Sequence, residues 1–448
     1  MSKNSAVDMT RGSITRQMVQ FSLPLIFGNL FQLAYNMVDT AVIGRFAGSA
    51  ALAAVGTCDS VMTLLILGVS GVCIGASVLM GNFYGAGDTE KLKQELGTTI
   101  VIGMVFAAAV MAVGLPLTEP VLQLLRVQPE AMADGALYLR IIFLGMPFTC
   151  LYNIYAGAMR AVGDSKTPVR YLALASVINM ALDVLLVAVL KLGVGGAGAA
   201  TVAAEAVSAV LCIRHVNRHM PVLQLKGRAK ADRALLGQTL SLGSLTALQQ
   251  CSQPIGNLFI QGVINSAGMT AAAAFSAVRK IEDIGLIPGR SVANGITAFM
   301  AQNEGAGDTK RSERGFKVGL MLEVAAAAII CAVILLLRHP LMMLFTADET
   351  IRETGAGYFS LSAFFYWMPG FCNAHQGYFR GIKKMQLVLM GSITQIAVRA
   401  VMTAVLVPKM GLPGAALACM IGWGAMLAWE APCRLLHTIR RMKTQKSA

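Results

Sequence analysis

The feature that most constrains this chain is that it repeats itself. Gly85-Ala86-Gly87-Asp88-Thr89 returns 220 residues later as Gly305-Ala306-Gly307-Asp308-Thr309. The same offset carries Met80 to Met300, Tyr138 to Tyr358, Asn153 to Asn373, Gly157 to Gly377 and Arg160 to Arg380. Near the end of each half, Gly193–Ala200 matches Gly411–Ala418 at an offset of 218. Two apolar halves of this size imply a membrane transporter built from duplicated bundles. The copies disagree at charged positions. Asp39, Asn179 and Asp183 correspond to Phe259, Arg399 and Thr403. The scaffold is shared and the charged site is not.

Composition places that scaffold in a bilayer. Of 448 residues, 56% are hydrophobic and only 13% charged, against roughly 25% charged in soluble domains. Apolar runs near the ~20 residues of a spanning helix occur twelve times. The predicted spans are 17–43, 50–81, 95–116, 137–158, 171–190 and 195–213 in the first half. In the second they are 237–263, 270–302, 317–337, 357–378, 386–407 and 413–433. The alternating pattern of a membrane barrel is absent. The expected fold is an all-α integral membrane protein with two six-helix bundles. An even number of helices per repeat implies a pseudo-two-fold axis along the membrane normal. The expected lobes are 1–214 and 237–448, joined by a polar linker over 215–236 and ending in a short basic tail. No cleavable leader is apparent, because the first apolar run is too long for one.

The net charge of +14 is a topology signal. Lys3, Arg11, Arg16, Lys91, Lys93, Arg160, Lys166 and Arg170 lie on one side. So do the six bases from Arg214 to Arg233, Lys310, Arg311, Arg314, Lys317, Arg380, Lys383, Lys384 and the five from Arg434 to Lys446. Together these are 26 of the 37 bases. The opposite loops hold Arg45, Arg126, Lys191, Arg338, Arg352 and Lys409. Positive residues stay inside, so both termini are expected to be cytoplasmic in a multi-pass protein of the inner (plasma) membrane. The basic loops suit contact with anionic lipid heads; nucleic acid is not an expected partner. The nine cysteines fall almost entirely within apolar runs without a CxxC pair and read as small hydrophobes.

Charged groups inside a bilayer cost at least ~2.5 kcal/mol at a helix centre, so they are functional suspects. Asp39 lies on the first predicted span. Asn179 and Asp183 are four residues apart on the fifth, hence on one face. Thr201 is early in the sixth. Counted along the helices, Asp39, Asp183 and Thr201 fall at one depth, roughly 10 Å below the outer boundary. Oxygen ligands from three helices at one depth suit a hard cation or a proton. In the second half, Glu282 and Asp283 lie near Arg279, Lys280 and Arg290, and Arg399 is on the eleventh span. They read either as a local ion-pair network or as a second coupling or substrate site. Glu205, Glu323 and Glu430 read as lone structural acids. Pro24 should bend the first span, and Pro147, Pro288 and Pro369 could act similarly. Some of the twenty-six methionines could line an adaptable pocket.

Several motifs fail. Gly193-x-Gly195-x-x-Gly198 fits GxGxxG but follows no strand, so it reads as close packing of the fifth and sixth spans. There is no Walker A sequence, so ATP is not the energy source. No nucleophile elbow points to an enzyme. No cofactor is expected beyond a coupling ion.

YNMVDTAVIGRFAG (35–48), GNFYGAGDTEKLK (81–93), its copy AQNEGAGDTKRSE (301–313) and INMALDVLL (178–186) resemble the multidrug and toxic compound extrusion (MATE) transporters. The resemblance covers nearly the whole chain. It implies a twelve-helix, two-lobed, monomeric antiporter that alternates between outward- and inward-open states. Such proteins exchange H⁺ or Na⁺ for small, often cationic, organic compounds. The pattern is similar to the DinF-like branch, whose first-lobe cation site would fall on Asp39, Asn179, Asp183 and Thr201, with Tyr35 one turn before Asp39. Na⁺ is the metal those four residues would take. Tyr35, Pro24, Asn153, Glu282, Asp283 and Arg399 are the substrate or gating candidates. The NorM-like branch places an acid on the seventh helix. This chain has Gln249, Gln250, Gln253, Asn257 and Gln261 there instead. The alternative is a lipid-linked precursor flippase of the same wider superfamily, whose cleft would carry several arginines.

Overall fold

The structure is a computed structural model that describes residues 7–225, 227 and 229–447, with side chains described as far as Arg441. Lys3, Lys226 and Arg228 of the basic count lie outside the described residues. The helices in order are α1 (Ile14–Phe46), α2 (Ser49–Gly85), α3 (Thr89–Leu124), α4 (Pro129–Ala161) and α5 (Lys166–Asp183). A π-helical stretch, Val184–Val189, continues α5. Then follow α6 (Gly193–His219), α7 (Arg233–Ser266), α8 (Met269–Gly285), α9 (Ile287–Gly305), α10 (Thr309–Met343) and α11 (Glu349–Ser362). After a 3₁₀ turn at Ala363–Phe365 come α12 (Trp367–Gly381), α13 (Met385–Met410) and α14 (Leu412–Ser447). No strand occurs among the described residues.

Every predicted span falls on helix, but two are broken. The span 270–302 divides at Leu286 into α8 and α9, and 357–378 divides at the 3₁₀ turn. Pro288 is at the start of α9 and Pro369 near the start of α12. Each lacks the N–H that would continue a helix, and its ring crowds the carbonyl four residues back. Pro24 and Pro147 are different: α1 and α4 run through them as single helices. Among the described residues, eight helical stretches are long and apolar enough to cross a membrane: α2, α3, α4, α5 with its π extension, α6, α10, α13 and α14. The remaining four predicted spans are the two broken ones and α1 and α7. The last two are long, but α1 carries Asn29, Gln32, Asn36 and Asp39, and α7 carries its row of glutamines.

The repeated pentapeptide has a physical meaning. Gly87, at φ 75°, ends α2 in a left-handed turn that a side chain would strain. Its N–H donates to Tyr84 O at 3.1 Å, and that of Asp88 to Phe83 O at 3.0 Å. The Asp88 carboxylate then caps α3 by accepting from Lys91 N at 3.0 Å. That N–H, and then the Lys91 ammonium, hold the Asp88 carboxyl below its ordinary value. Gly307 and Asp308 repeat each bond within 0.2 Å, including the cap from Asp308 to Arg311 N at 2.8 Å.

The chain forms two compact units, residues 1–9 with 23–247 and residues 10–22 with 248–448. The expected lobe boundary at 215–236 thus differs from the observed one, which falls inside α7. Close backbone approach explains why the first half of α7 stays with the first unit. A Cβ on Gly75 of α2 would come within 2.7 Å of Gly243 N. Thr239 of α7 also donates to Glu95 of α3 at 2.8 and 3.0 Å. Residues 10–22 belong to the second unit through Gln17, which accepts from Arg311 at 3.0 Å, and Ser22, which fills the space beside Gly295. Gly195 and Gly198 pack α6 against Leu137 and Ile141 of α4, and only Gly196 meets Leu186 beyond α5. The expected fifth-to-sixth contact is therefore mainly a fourth-to-sixth one.

Candidate functional site

In the first unit, α1, the end of α5 and the start of α6 bring four predicted residues together. Asp183 is fully buried and Asn179 is 3% exposed. Their four-residue spacing puts both side chains on one face of α5. With its amide nitrogen turned to Asp183, Asn179 donates to Asp183 Oδ2 at 3.2 Å, and its oxygen accepts from the backbone N–H of Thr201 at 3.3 Å. The Thr201 hydroxyl donates to Ala197 O at 3.1 Å and keeps its lone pairs. The Asp39 and Asp183 carboxyls are in hydrogen-bonding contact. Among the described residues, Oδ1 of each is buried with no protein donor. Two acceptors that meet away from water need a cation or proton between them, because ionised carboxylates only accept.

The helix changes form at this point. The π stretch begins at Val184, the residue after Asp183. Wide turns of this kind concentrate at functional positions because they re-aim neighbouring side chains.

More acids surround the pair than the predicted set contains. Asp59 of α2 lies close enough for its charge to act on Asp39. The buried Tyr138 of α4 feels Asp59, Asp39 and Asp183 together. Tyr35 feels Glu205, Asp39 and Asp183, which ties Glu205 to the same cluster. Glu205 Oε2 accepts a hydrogen bond from Thr149. Asn153 donates to Thr149 O at 2.8 Å, so it sits beside Glu205. Pro24 lies fifteen residues, about four turns, before Asp39 on α1. Asp59 carries a signal of its own in the sequence, as an acid ten residues into an apolar run. Glu205 was read as a lone acid because its partners lie on other helices.

The second unit separates Glu282 from Asp283. Glu282 accepts from Tyr358 at 3.2 Å and Tyr366 at 3.1 Å, and feels Arg399 and then Arg279. Asp283 is exposed and pairs with Arg290 at 3.5 Å. Arg399 is 8% exposed. Another buried network joins Arg380 to Gln249 at 3.2 Å and Gln376 at 3.1 Å, with Gln249 and Gln376 both donating to Ser392. Glu430, fully buried on α14, acts on Arg380. Among the described residues no group of three or more His, Cys, Asp or Glu side chains is arranged to hold a metal ion.

An all-helical duplicated chain with a buried acid cluster in one copy defines a membrane-embedded transporter. The MatE family profile matches residues 24–185 and 246–405, most of both halves. The chain belongs to that family, whose members are transporters of small organic compounds and not enzymes. It is 29% identical over 351 residues to the probable multidrug resistance protein YoeA of Bacillus subtilis, covering 76% of each chain. It is 27% identical over 415 residues to the probable multidrug resistance protein YpnP of the same organism, covering 92% of this chain and 93% of YpnP. A multidrug resistance MATE family transporter of the MOP superfamily, solved in an outward-facing conformation, has the same fold, with a TM-score of 0.91, 21% identity and 99% of each chain covered.

Proposed function

We propose that this chain is a secondary active multidrug efflux antiporter of the inner membrane, with both termini cytoplasmic. It exchanges H⁺ or Na⁺ for organic, cationic compounds by alternating access. The observation that carries the reading is that the Asp39 and Asp183 carboxyls are in contact and that each keeps a buried Oδ1 without a protein donor among the described residues. A proton would sit between the two carboxyls. Na⁺ would be held by Asp39, Asp183, Asn179 and the Thr201 hydroxyl, all hard oxygen donors. Glu205 beside Tyr35 and Asp59 beside Asp39 add acids to the cluster, which favours a cationic cargo over an anionic one.

Coupling requires that the ion bind the two transport states unequally. Loading the site would pull α1, α5 and α6 together through Asp39, Asp183 and Thr201. Emptying it leaves two repelling carboxylates and favours the arrangement that parts them. An organic cation and the coupling ion then compete for one acidic environment, so each expels the other. Arg399 and Arg279 in the second unit are held beside Glu282, which leaves few free bases for a pyrophosphate and argues against the flippase alternative.

The test is dye efflux from inverted vesicles, with pH and Na⁺ gradients imposed separately, in wild type, Asp39→Asn and Asp183→Asn. Efflux driven by one gradient and lost in both variants is expected. Undiminished efflux in the variants would sink the assignment of the coupling site.

A further inference from the structure

The second unit contains an acid that the reading above does not use. Glu323, on α10, is 1% exposed, and its Oε1 has no donor among the described residues. It opens onto a cavity of about 10 Å³ lined also by Leu286, Gly289, Tyr366, Gly370 and Asn373. That space is about what one water molecule requires. Gly289 makes the cavity possible. A Cβ there would lie 2.9 Å from Glu323 Oε2 and 3.0 Å from Asn373 Nδ2, so both polar groups converge on the spot where a side chain is missing.

The other copy closes the equivalent place with hydrocarbon. Glu323, Gly289 and Tyr366 correspond to Gly103, Val69 and Met146, while Asn373 corresponds to Asn153. Ile154 Cδ1 lies 2.5 Å from where a Cβ on Gly103 would stand. The acid, its hollow and its tyrosine therefore occur together in one half and are absent together from the other.

No charged side chain among the described residues acts on Glu323. The packed elements contribute Leu286 and Gly289 from the α8–α9 junction and Gly370 and Asn373 from α12, none of them titratable. The titratable group that shares the cavity is Tyr366, whose hydroxyl donates to Glu282 Oε1 at 3.1 Å. Beyond it stand Arg399 and Arg279, which act on Glu282. When it holds a proton, a buried carboxyl needs an acceptor for its own O–H. A trapped water supplies that acceptor and can donate back to Oε1.

We propose that Glu323 and Asn373 form a second proton-binding site, in which a carboxylic acid is hydrogen-bonded to one water held under Gly289. The site takes up a proton on the Glu323 carboxylate through that water and releases it the same way. It does not depend on Asp39 or Asp183. Tyr366 connects it to the Glu282–Arg399 cluster, so the second unit has a proton-sensitive element of its own.

The experiment is infrared difference spectroscopy of the full chain in lipid nanodiscs, stepped from mildly acidic to alkaline pH. A protonated-carboxyl C=O band that fades on alkalinisation should persist in the Asp39→Asn/Asp183→Asn variant and disappear in Glu323→Gln. In Gly289→Ala the methyl group takes the place of the water while the acid remains, so the same band should shift in position. A Glu323→Gln spectrum identical to wild type would overturn the proposal. So would a Glu323 band that never changes with pH, because such an acid binds a proton permanently and exchanges none. Should Glu323→Gln fail to fold, an unshifted band in Gly289→Ala overturns it alone. A pH response lost at Asp39 and Asp183 with the Glu323 band intact would count against the antiport reading only.

Discussion

The same tyrosine position serves opposite electrostatics in the two units. Tyr138 lies among Asp39, Asp59 and Asp183 in the first. Its counterpart Tyr358 donates to Glu282 in the second, where Arg399 and Arg279 supply positive charge. The difference extends outward. The charge of Arg160 acts on the thiols of Cys73 and Cys212, whereas the corresponding Arg380 feels the acid Glu430. Duplication supplied identical loops and helix ends, and substitution then divided the chemistry. The first unit concentrates unbalanced acids. The second balances most of its acids with arginine or tyrosine and isolates one, Glu323.

If that division is right, the largest effect belongs to the acid pair. Asp183→Asn or Asp39→Asn should reduce gradient-driven efflux by ~10-fold or more, because the coupling ion loses its preference between states. Thr403→Val, at the position equivalent to Asp183, should keep most of it. Equal losses in vesicle efflux would erase the contrast. Next in size is Arg399→Ala, which strips the strongest positive charge from beside Glu282. Leaving the half-buried Glu282 uncompensated should cost up to about 3 kcal/mol in thermal unfolding. The Arg399→Ala/Glu282→Gln pair should recover much of that loss. Recovery would identify Arg399 as a partner of Glu282, and no recovery would point to a separate ligand role.

A smaller loss is expected from Thr239→Val, which removes the hydroxyl bonded to both oxygens of buried Glu95. Its cost should be about 1–2 kcal/mol, read by the same unfolding assay. The smallest effects test the sameness of the scaffold. Asp88→Ala and Asp308→Ala remove matched helix caps and should destabilise slightly and equally. The Asp88 contribution also has a defined pH window. Its carboxyl is held below the ordinary 3.8 by the Lys91 N–H and ammonium. Its stabilisation is therefore complete above that ordinary value and fades as pH falls through the lowered one. Unfolding measured down to acidic pH should show no loss from this cap near neutrality.

The residues most legible in the sequence were those that violate a rule strongly. An acid in an apolar run is expensive, and a four-residue spacing fixes a shared face, so Asp39, Asn179 and Asp183 could be joined before any coordinates. Counting helical rise from the outer boundary was enough to add Thr201. Asp59 obeys the same rule, but no second acid or amide at helical spacing joins it to the others. Glu323 and Glu430 were illegible for another reason. What distinguishes them is a hollow or a partner tens of residues away, and a hollow has no letter in the sequence. The breaks at Leu286 and at 363–365 were only half visible. Proline announces a disturbance, but packing decides whether a helix ends there, as at Pro288, or continues, as at Pro24. The unit boundary inside α7 depends on glycines of α2 and α7 meeting closely, which hydropathy does not record.

The turn that follows the π stretch explains an oddity of arithmetic. The halves align at an offset of 220 through Asp183 and Thr403, but at 218 from Gly193 and Gly411 onward. The first copy therefore has two more residues between these landmarks, in the interval that contains Val184–Val189. The second copy passes through the equivalent stretch as regular α-helix to Met410. In terms of descent, the ancestral repeats diverged here by a change in length as well as in letter. The helix of the first copy ends at Val189, six residues past Asp183, and that of the second at Met410, seven past Thr403, so the extra length stands in the turn at 190–192. Deleting two residues there would leave a one-residue connection like the one that Gly411 makes in the second copy. The half that carries the acid thus also carries the longer tether, and the half with Thr403 turns at once into its last helix.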